Sequence, residues 1–298
     1  MSWRIVYIES SDYLSLYLDN IKIKNGMDET TIPLSDINSI VIDNNSTAVT
    51  VALINKCMEY KINMVMCNLS HLPNAIIIPH DGNYQSAYQL QKQIKWEIET
   101  LKYVWNLFVK AKIRNQVSIL RVLQRDGEVI KKMLEFMEQV EDGDSGNREG
   151  LAAKMYFREL FGDDFKRYAD DSINAALNYG YSILRSQIAR ALVARGLNPQ
   201  LGIFHRGAGN AFNLADDFIE PLRPIIDKWV YENIKKDQLF NRENRLALIQ
   251  LTTKKIEYNN RKVTIIMALN ILIDNFLDFM DTGDVSKLVF PNVIVYDL

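Results

Sequence analysis

Pro79-His80-Asp81-Gly82-Asn83 divides the chain of 298 residues into two parts with different sequence patterns. Proline, aspartate and glycine in such a cluster mark a turn or a linker. Before it, short segments rich in Val, Ile, Tyr and Leu alternate with Asp, Asn, Ser and Gly, which is typical of β-strands. After it, apolar residues recur at helical spacing. The sequence therefore predicts an α+β protein, with a small β-rich N-terminal domain followed by a larger all-helical C-terminal domain.

The pattern also predicts the individual elements. We expect a domain over residues 1–78, a linker over 79–90 and a helical domain over 91–298. The predicted strands of the first domain accompany one helix over 47–60: Trp3–Ile8, Tyr13–Leu18, Ile21–Lys24, Ser39–Ile42, Asn63–Cys67 and Ala75–Ile78. Helical spacing then runs from Gln89 to Met137 with a break at Asp126-Gly127, and continues over 148–160, 172–195, 212–233, 242–257 and 261–280, before a final strand over 288–295.

Composition excludes several classes of protein. The two cysteines, Cys57 and Cys67, are too few for a secreted disulfide scaffold. No apolar run approaches the roughly 20 residues that a membrane-spanning helix needs. The N-terminus has no basic region followed by a long apolar stretch, so we expect no signal peptide. The sequence thus predicts a cytoplasmic protein without a membrane partner.

A basic stripe is predicted on the first long helix of the second part. Residues 91–140 hold ten Lys and Arg against six Asp and Glu, and no acid lies between Thr100 and Asp126. A one-sided stripe of this kind can contact DNA phosphates or can be a solvated helix face. The adjacent Asn115-Gln116 pair can donate to phosphate or support a buried contact. Four cations share a stripe about 60° wide on a helical projection: Lys110, Arg114, Arg121 and Arg125.

Acidic residues cluster on the helix predicted over 212–233. Asp217 and Glu220 are three positions apart and share a helix face. Two carboxylates about 5 Å apart repel by roughly 3 kcal/mol at an effective dielectric near 20. Apolar neighbours indicate that this helix is largely buried, which favours a cation bound between the acids. A salt bridge from Arg223 is the structural alternative.

Two further residues are candidates for chemistry. Glu149 opens the helix predicted over 148–160, where a first-turn acid beside an Asn147 cap is an equally good explanation. His205 lies between an apolar stretch and a glycine-rich turn, a position that suits either a cleft or a buried, hydrogen-bonded imidazole. Spacing alone cannot bring Glu149, His205 and Glu220 together.

Three stretches of the chain resemble the CRISPR-associated integrases of the Cas-one family. Lys112-Ile113-Arg114-Asn115-Gln116 resembles the family's helical K-I-x-N-Q element. Residues 147–157 and 202–224 resemble its first and second catalytic segments. The three stretches occur in the family's order, and the layout of β domain, linker and helical domain also fits. The Asn-Arg-Glu-Gly form and the chain length are most similar to the type II-A branch.

The resemblance implies a site for Mg²⁺ or Mn²⁺ formed by Glu149, His205 and Glu220. Asp217 matches the family's accessory catalytic acid, and Glu220 stands where many members have aspartate. Asp216 lies outside the pattern and is expected to be a solvated neighbour. One imidazole with carboxylate oxygens suits these ions better than Zn²⁺, which favours Cys and His in closed sites. His205 is either a metal ligand or a proton carrier.

The resemblance also implies a reaction and partners. Family members are metal-dependent DNA endonucleases and integrases of antiviral defence, which insert prespacer DNA into a CRISPR array when a 3′-hydroxyl attacks a phosphodiester of the repeat. They form homodimers through the β domain, and two dimers flank a dimer of the small Cas-two protein. Type II-A systems add Csn-two and Cas-nine. Two alternatives stay open: a hydrolytic metal-dependent nuclease on branched or single-stranded nucleic acid, and a non-catalytic DNA-binding scaffold.

Overall fold

The computed structural model describes residues 4–80, 83–236 and 238–296. For residues 295 and 296 it describes the backbone only. The predictions made for Trp3, Asp81 and Gly82 lie outside these residues. Among the described residues, the first part of the chain holds eight strands and one α-helix: β1 (Arg4–Ile8), β2 (Tyr13–Tyr17), β3 (Asn20–Asn25), β4 (Asp28–Pro33), β5 (Ile37–Ile42), β6 (Ala48–Val49), α1 (Val51–Glu59), β7 (Asn63–Cys67) and β8 (Pro73–Ile77).

These strands form two four-stranded sheets. In one sheet, of order β1-β5-β7-β8, the first three strands are parallel and β8 is antiparallel. The other has the order β4-β3-β2-β6, and β2, β3 and β4 form an antiparallel meander. All six residues of β5 are buried, as expected for a central strand. One apolar core joins the sheets and α1. Its fully buried side chains include Leu14, Ile21 and Ile40 of the strands and Leu53 of α1.

Two details of this part differ from the predictions. β4 was not predicted, because its polar residues are mostly exposed and show no apolar alternation. The β3–β4 turn contains Gly26, whose φ of +60° is a left-handed conformation that favours glycine. The predicted helix over 47–60 is shorter, because Thr50 caps α1 by accepting a hydrogen bond from the Leu53 amide.

The second part is mostly helical. It contains α2 (Ser86–Ile94), α3 (Ile98–Val122), α4 (Gly127–Glu138), α5 (Arg148–Phe161), α6 (Ser172–Val193), α7 (Asn213–Ile219), α8 (Arg223–Asn233), α9 (Arg242–Leu251), β9 (Lys255–Tyr258), β10 (Arg261–Thr264), α10 (Ile265–Thr282) and β11 (Asn292–Tyr296).

Helix α3 is the central element of this part. Its 25 residues span about 38 Å at 1.5 Å per residue, and it packs against α4, α5 and α8. The buried face carries Phe108 and Val109, and also the polar Lys112, Asn115 and Gln116. Polar groups are seldom buried without partners, so α3 is where a buried polar site is expected.

The α+β class is confirmed, but the larger part is not all-helical. The helices predicted over 242–257 and 261–280 are interrupted by β9 and β10, which pair with β11 in a sheet of order β10-β9-β11. Asn259 and Asn260 join β9 to β10, and both have positive φ. Two such residues are typical of a type I′ hairpin turn. The predicted helix over 212–233 is likewise divided by a 3₁₀ turn over Glu220–Leu222.

The chain forms two compact units. The first extends to Leu90 and includes Ala189–Leu197, and the second comprises Gln91–Ile188 and the chain from Asn198 onward. The division predicted at 78 and 91 stays a prediction. Among the residues that the structure describes, no helix combines the length and the apolar character that crossing a membrane requires.

We expect Gly180→Ala to destabilise the protein. An added Cβ would lie 2.5 Å from Cγ2 of Ile226 and 3.2 Å from Cδ2 of Leu248, and overpacking of this kind costs about 1–3 kcal/mol. The cost exceeds the gain of about 1 kcal/mol in helix propensity. The free energy of unfolding in urea measures the difference. Gly127→Ala is the control, because its Cβ would meet nothing within 4 Å. An equal stability for Gly180→Ala and the wild type would contradict the expected clash.

Candidate active site

A buried lysine lies between two glutamates. Lys112 projects from α3, and its ammonium binds the carboxylates of Glu149, in the first turn of α5, and Glu220, at the start of the 3₁₀ turn. The side chains of Lys112 and Glu220 are 8% and 6% exposed, against 28% for Glu149. Arg223 Nε donates to the other oxygen of Glu220, Oε1, over 2.9 Å. The salt bridge considered as the structural alternative for Arg223 is therefore present.

The charges of this cluster stabilise one another. Burial alone would raise the pKa of Glu220, but Arg223 and Lys112 outweigh it and lower the pKa to about 2. Burial would lower the pKa of Lys112, yet the charges of Glu220 and Glu149 raise it. Lys112, Glu220 and Arg223 are thus ionised at neutral pH. The predicted repulsion between Asp217 and Glu220 does not govern the site, since each carboxylate has its own partners.

Asp144 fixes the start of α5 and hence Glu149. Its Oδ1 accepts from the Arg148 amide over 2.8 Å and its Oδ2 from the Glu149 amide over 3.0 Å. Asn147, predicted as the cap, has a left-handed backbone and makes no capping hydrogen bond with its side chain. The cap therefore comes from the preceding polar loop, three residues earlier than the sequence pattern indicated.

Asp217 positions His205. Its Oδ1 lies 2.7 Å from His205 Nδ1, and its carboxylate also accepts from the backbone amides of residues 203–205. Burial lowers the pKa of His205, but the hydrogen bond and charge of Asp217 outweigh this effect and raise it. Gly202 permits the close approach, because an added Cβ would lie 2.9 Å from Asp217 Oδ2. A carboxylate on Nδ1 leaves Nε2 as the imidazole nitrogen that can bind a ligand.

The structure brings two of the three predicted metal ligands together. Glu149 and Glu220 converge on one ammonium, whereas His205 pairs with Asp217. Within the described residues, no group of three or more His, Cys, Asp or Glu side chains is arranged to hold a metal ion. The donor chemistry nevertheless fits a hard divalent ion, which prefers oxygen ligands. Glu149 and Glu220 offer carboxylate oxygens that already converge on one cation. His205 carries a charge interaction with Glu220 but is not grouped with the carboxylates.

Asp216 is not a solvated neighbour. Its side chain is 14% exposed, Asn210 Nδ2 donates to its Oδ2 over 2.7 Å, and Arg185 lies 3.6 Å from its Oδ1. These contacts hold the loop before α7 against α6. Asp216 thus has a structural role in the part of the chain that also carries Asp217.

The Lys112 cluster lines a cleft of about 490 Å³. The cleft also contains Arg167, Asn178 and Tyr181, none of which the sequence pattern singled out. The guanidiniums of Arg223 and Arg167 lie 4.5 Å and 5.4 Å from the centroid of the Tyr181 ring. Such cation–π contacts fix both arginines at the cleft wall. The site therefore offers positive charge next to a carboxylate pair.

The predicted basic stripe is only partly continuous. Arg114 and Arg121 are exposed on α3, and Lys110 is half-buried. Arg125 lies beyond the last helical residue, Val122, so the helical projection does not apply to it. Its guanidinium contacts Tyr231, 4.9 Å from the ring centroid, and donates to the hydroxyl. Binding of DNA by all four residues stays a prediction.

Asn115 supports the site rather than a phosphate. Its Nδ2 donates to the carbonyl of Pro221 over 2.7 Å and to that of Pro291 over 3.2 Å. The first carbonyl belongs to the 3₁₀ turn that carries Glu220. The buried-contact explanation of this residue is therefore the correct one.

Asp227 is a buried carboxyl group behind the cleft. Burial raises its pKa to about 7, and the hydrogen bond from the Tyr181 hydroxyl and the charges of Arg223 and Lys112 offset this only in part. Its unfolded-state pKa is near 3.8. Between these values the unfolded chain loses a proton that the folded protein keeps, so stability falls as pH rises.

We expect Asp227→Asn to remove this pH dependence. A difference of about three pKa units corresponds to about 4 kcal/mol, so wild-type stability should decline by up to that amount between pH 4 and pH 7 relative to the variant. An asparagine oxygen still accepts from Tyr181. Urea unfolding at several pH values measures both curves. Parallel curves for the two proteins would rule out a protonated Asp227 in the fold.

Comparison with known proteins agrees with the resemblance of the three stretches. The family described as "CRISPR associated protein Cas1" matches residues 6–257. The CRISPR-associated endonuclease Cas1 of Neisseria meningitidis serogroup C (strain 8013) is 32% identical over 297 residues, which cover 99% of this chain and 97% of the relative.

Solved structures share the fold. A casposase bound to its integration product superposes with a TM-score of 0.78 at 19% identity, covering 96% of this chain and 92% of that one. A Cas6-RT-Cas1–Cas2 complex gives a TM-score of 0.76 at 17% identity, covering 98% of this chain and 36% of that one. The family match and the nearly full-length relative identify the chain as a member of the Cas1 family of CRISPR-associated proteins.

Proposed function

We propose that the protein is a metal-dependent DNA endonuclease and integrase that inserts prespacer DNA into a CRISPR array. The observation that carries the proposal is the convergence of Glu149 and Glu220 on one cation in a cleft lined by arginines. The names of the relatives support it, since one is called an endonuclease and another protein of the same fold is bound to an integration product. The biological role is spacer acquisition in antiviral defence.

Each residue of the site has a role in this proposal. Glu149, Glu220 and His205 would hold Mg²⁺ or Mn²⁺, which when bound polarises a phosphodiester and favours an attacking oxygen. Asp217 keeps Nδ1 of His205 occupied and leaves Nε2 to act as a ligand or a proton carrier. Arg167 and Arg223 place positive charge where phosphate oxygens gain negative charge during transfer. The attacking group is a 3′-hydroxyl, and transesterification exchanges one phosphodiester bond for another.

The proposed partners follow from the family. The DNA substrates are a double-stranded prespacer and the CRISPR repeat. The Cas6-RT-Cas1–Cas2 complex supports a dimer of the small Cas-two protein as partner. We further propose that the chain consists of a domain over residues 1–78, a linker over 79–90 and a catalytic domain over 91–298. The domain over residues 1–78 would form the homodimer. Csn-two and Cas-nine would be added partners if the system is of type II-A.

Glu149→Gln and Glu220→Gln should each lower strand transfer by at least ~100-fold, because both remove a charged oxygen donor for the ion. The substrates are a plasmid with leader and repeat and a labelled fragment, with Mn²⁺ and the Cas-two partner. Initial rates of insertion are measured below the unfolding temperature of each variant. This precaution is needed because the loss of either glutamate leaves Lys112 with one carboxylate fewer and lowers stability.

Glu138→Gln is the matched control, since Glu138 is an exposed acid on α4. Full insertion activity in either site variant would refute the assignment. Hydrolysis of the DNA without insertion by the wild type would favour the nuclease alternative. DNA binding without any cleavage or insertion would favour the non-catalytic scaffold.

We also expect the basic stripe to bind phosphates. Replacing each of Lys110, Arg114 and Arg121 by glutamine in one triple variant should make the slope of log K against log salt less negative by about 2.7. Each lost phosphate contact changes this slope by about 0.9. Arg125→Gln alone should change the slope by less, because its guanidinium is already bound to Tyr231. Fluorescence anisotropy with a duplex measures both slopes. An unchanged slope in the triple variant would place the DNA on another surface.

A further inference from the structure

The Lys112 cluster is balanced in charge without any metal ion. Glu149 and Glu220 contribute two negative charges, and Lys112 and Arg223 contribute two positive charges. Glu220 uses separate oxygens for the two cations: Oε2 contacts Lys112 and Oε1 contacts Arg223. Both oxygens of this carboxylate therefore already have a cationic partner within the protein. A divalent ion that bound the same carboxylates would enter a site that already contains a cation.

Lys112 and a divalent ion cannot both occupy the position between the carboxylates. An ammonium and a dication in contact with the same oxygens repel strongly in a buried setting. The two cations differ in how easily they leave. Arg223 is held by the hydrogen bond from its Nε to Glu220 and by the Tyr181 ring, whose centroid lies 4.5 Å from the guanidinium. Lys112 has a flexible four-carbon stem and lines a cleft of about 490 Å³, which provides room for the ammonium to move.

We propose that Lys112 is a resident cation that competes with the divalent ion, so that metal binding requires the ammonium to leave Glu149 and Glu220. Lys112 is a positioning residue in this scheme: it holds the two carboxylates together while no metal is bound. It also raises the metal concentration at which the site fills. The inference rests on the proposed metal site, but it concerns metal binding rather than insertion of DNA.

The test compares Lys112→Met with the wild type in the absence of DNA. Mn²⁺ binding is measured from the electron paramagnetic resonance signal of the free ion, and thermal unfolding is recorded with and without Mn²⁺. We expect Lys112→Met to bind Mn²⁺ at least tenfold more tightly, because no ammonium must be displaced. Without metal the variant should unfold at a lower temperature, because two carboxylates face each other, and Mn²⁺ should restore the loss.

Lys102→Met is the matched control. Lys102 lies on the same helix and pairs with Glu99 over 2.9 Å, but at the surface. Its replacement should leave the affinity for Mn²⁺ unchanged. An affinity of Lys112→Met equal to or weaker than that of the wild type would overturn the proposal, as would the absence of Mn²⁺ binding by both proteins.

A second measurement uses the wild-type protein, in case Lys112→Met does not fold. Lysine reactivity toward an acetylating reagent is quantified by mass spectrometry, with Lys102 as the internal reference. Saturating Mn²⁺ should increase the labelling of Lys112 relative to Lys102 at least threefold, and an unchanged ratio would overturn the proposal. Competition between Mn²⁺ and Lys112 in a protein that inserts no DNA would leave this inference standing and refute the proposed function.

Discussion

Two buried and two half-buried charges must stay together in this protein, and the fold of the larger unit depends on that constraint. Removing any one of them leaves its partner with one opposite charge fewer in a poorly solvated setting, which costs more than losing a surface ion pair. The constraint ties three elements that are distant in sequence: the middle of α3, the first turn of α5 and the 3₁₀ turn before α8. Helix packing brings these elements near one another, but the ion pairs decide which side chains meet.

The three acids of the predicted site have two different tasks. Glu149 and Glu220 bind cations, whereas Asp217 is fully buried and orients an imidazole. A shared helix face suggested that Asp217 and Glu220 act as a pair. The structure gives them different partners, because Asp217 accepts from the loop over residues 203–205 whereas Glu220 contacts Lys112 and Arg223. Two acids three positions apart can therefore have separate roles: Glu220 binds cations, and Asp217 orients the imidazole of His205.

Local pattern predicted the α+β class and most strands and helices, because those depend on short-range spacing. It failed at Asn259-Asn260, where a two-residue turn interrupts apolar spacing that also suits a helix. The meeting of Glu149 with Glu220 could not be predicted from spacing, since it depends on packing across α3, and only the family resemblance indicated it. Lys112 was counted with the basic residues of its helix, although burial separates it from them. The sequence pattern likewise assigned to Asn147 the capping role that Asp144 has in the structure.

Asn115 carries a consequence for which residues its position can accept. One side-chain nitrogen serves two backbone carbonyls, those of Pro221 and Pro291, so both of its amide hydrogens are committed. Aspartate has no hydrogen to give when ionised, and serine has only one. Glutamine has both but is longer by one methylene, which a well-packed interior does not accommodate freely. Asparagine is thus the smallest side chain that can join the turn bearing Glu220 to the C-terminal segment of the chain.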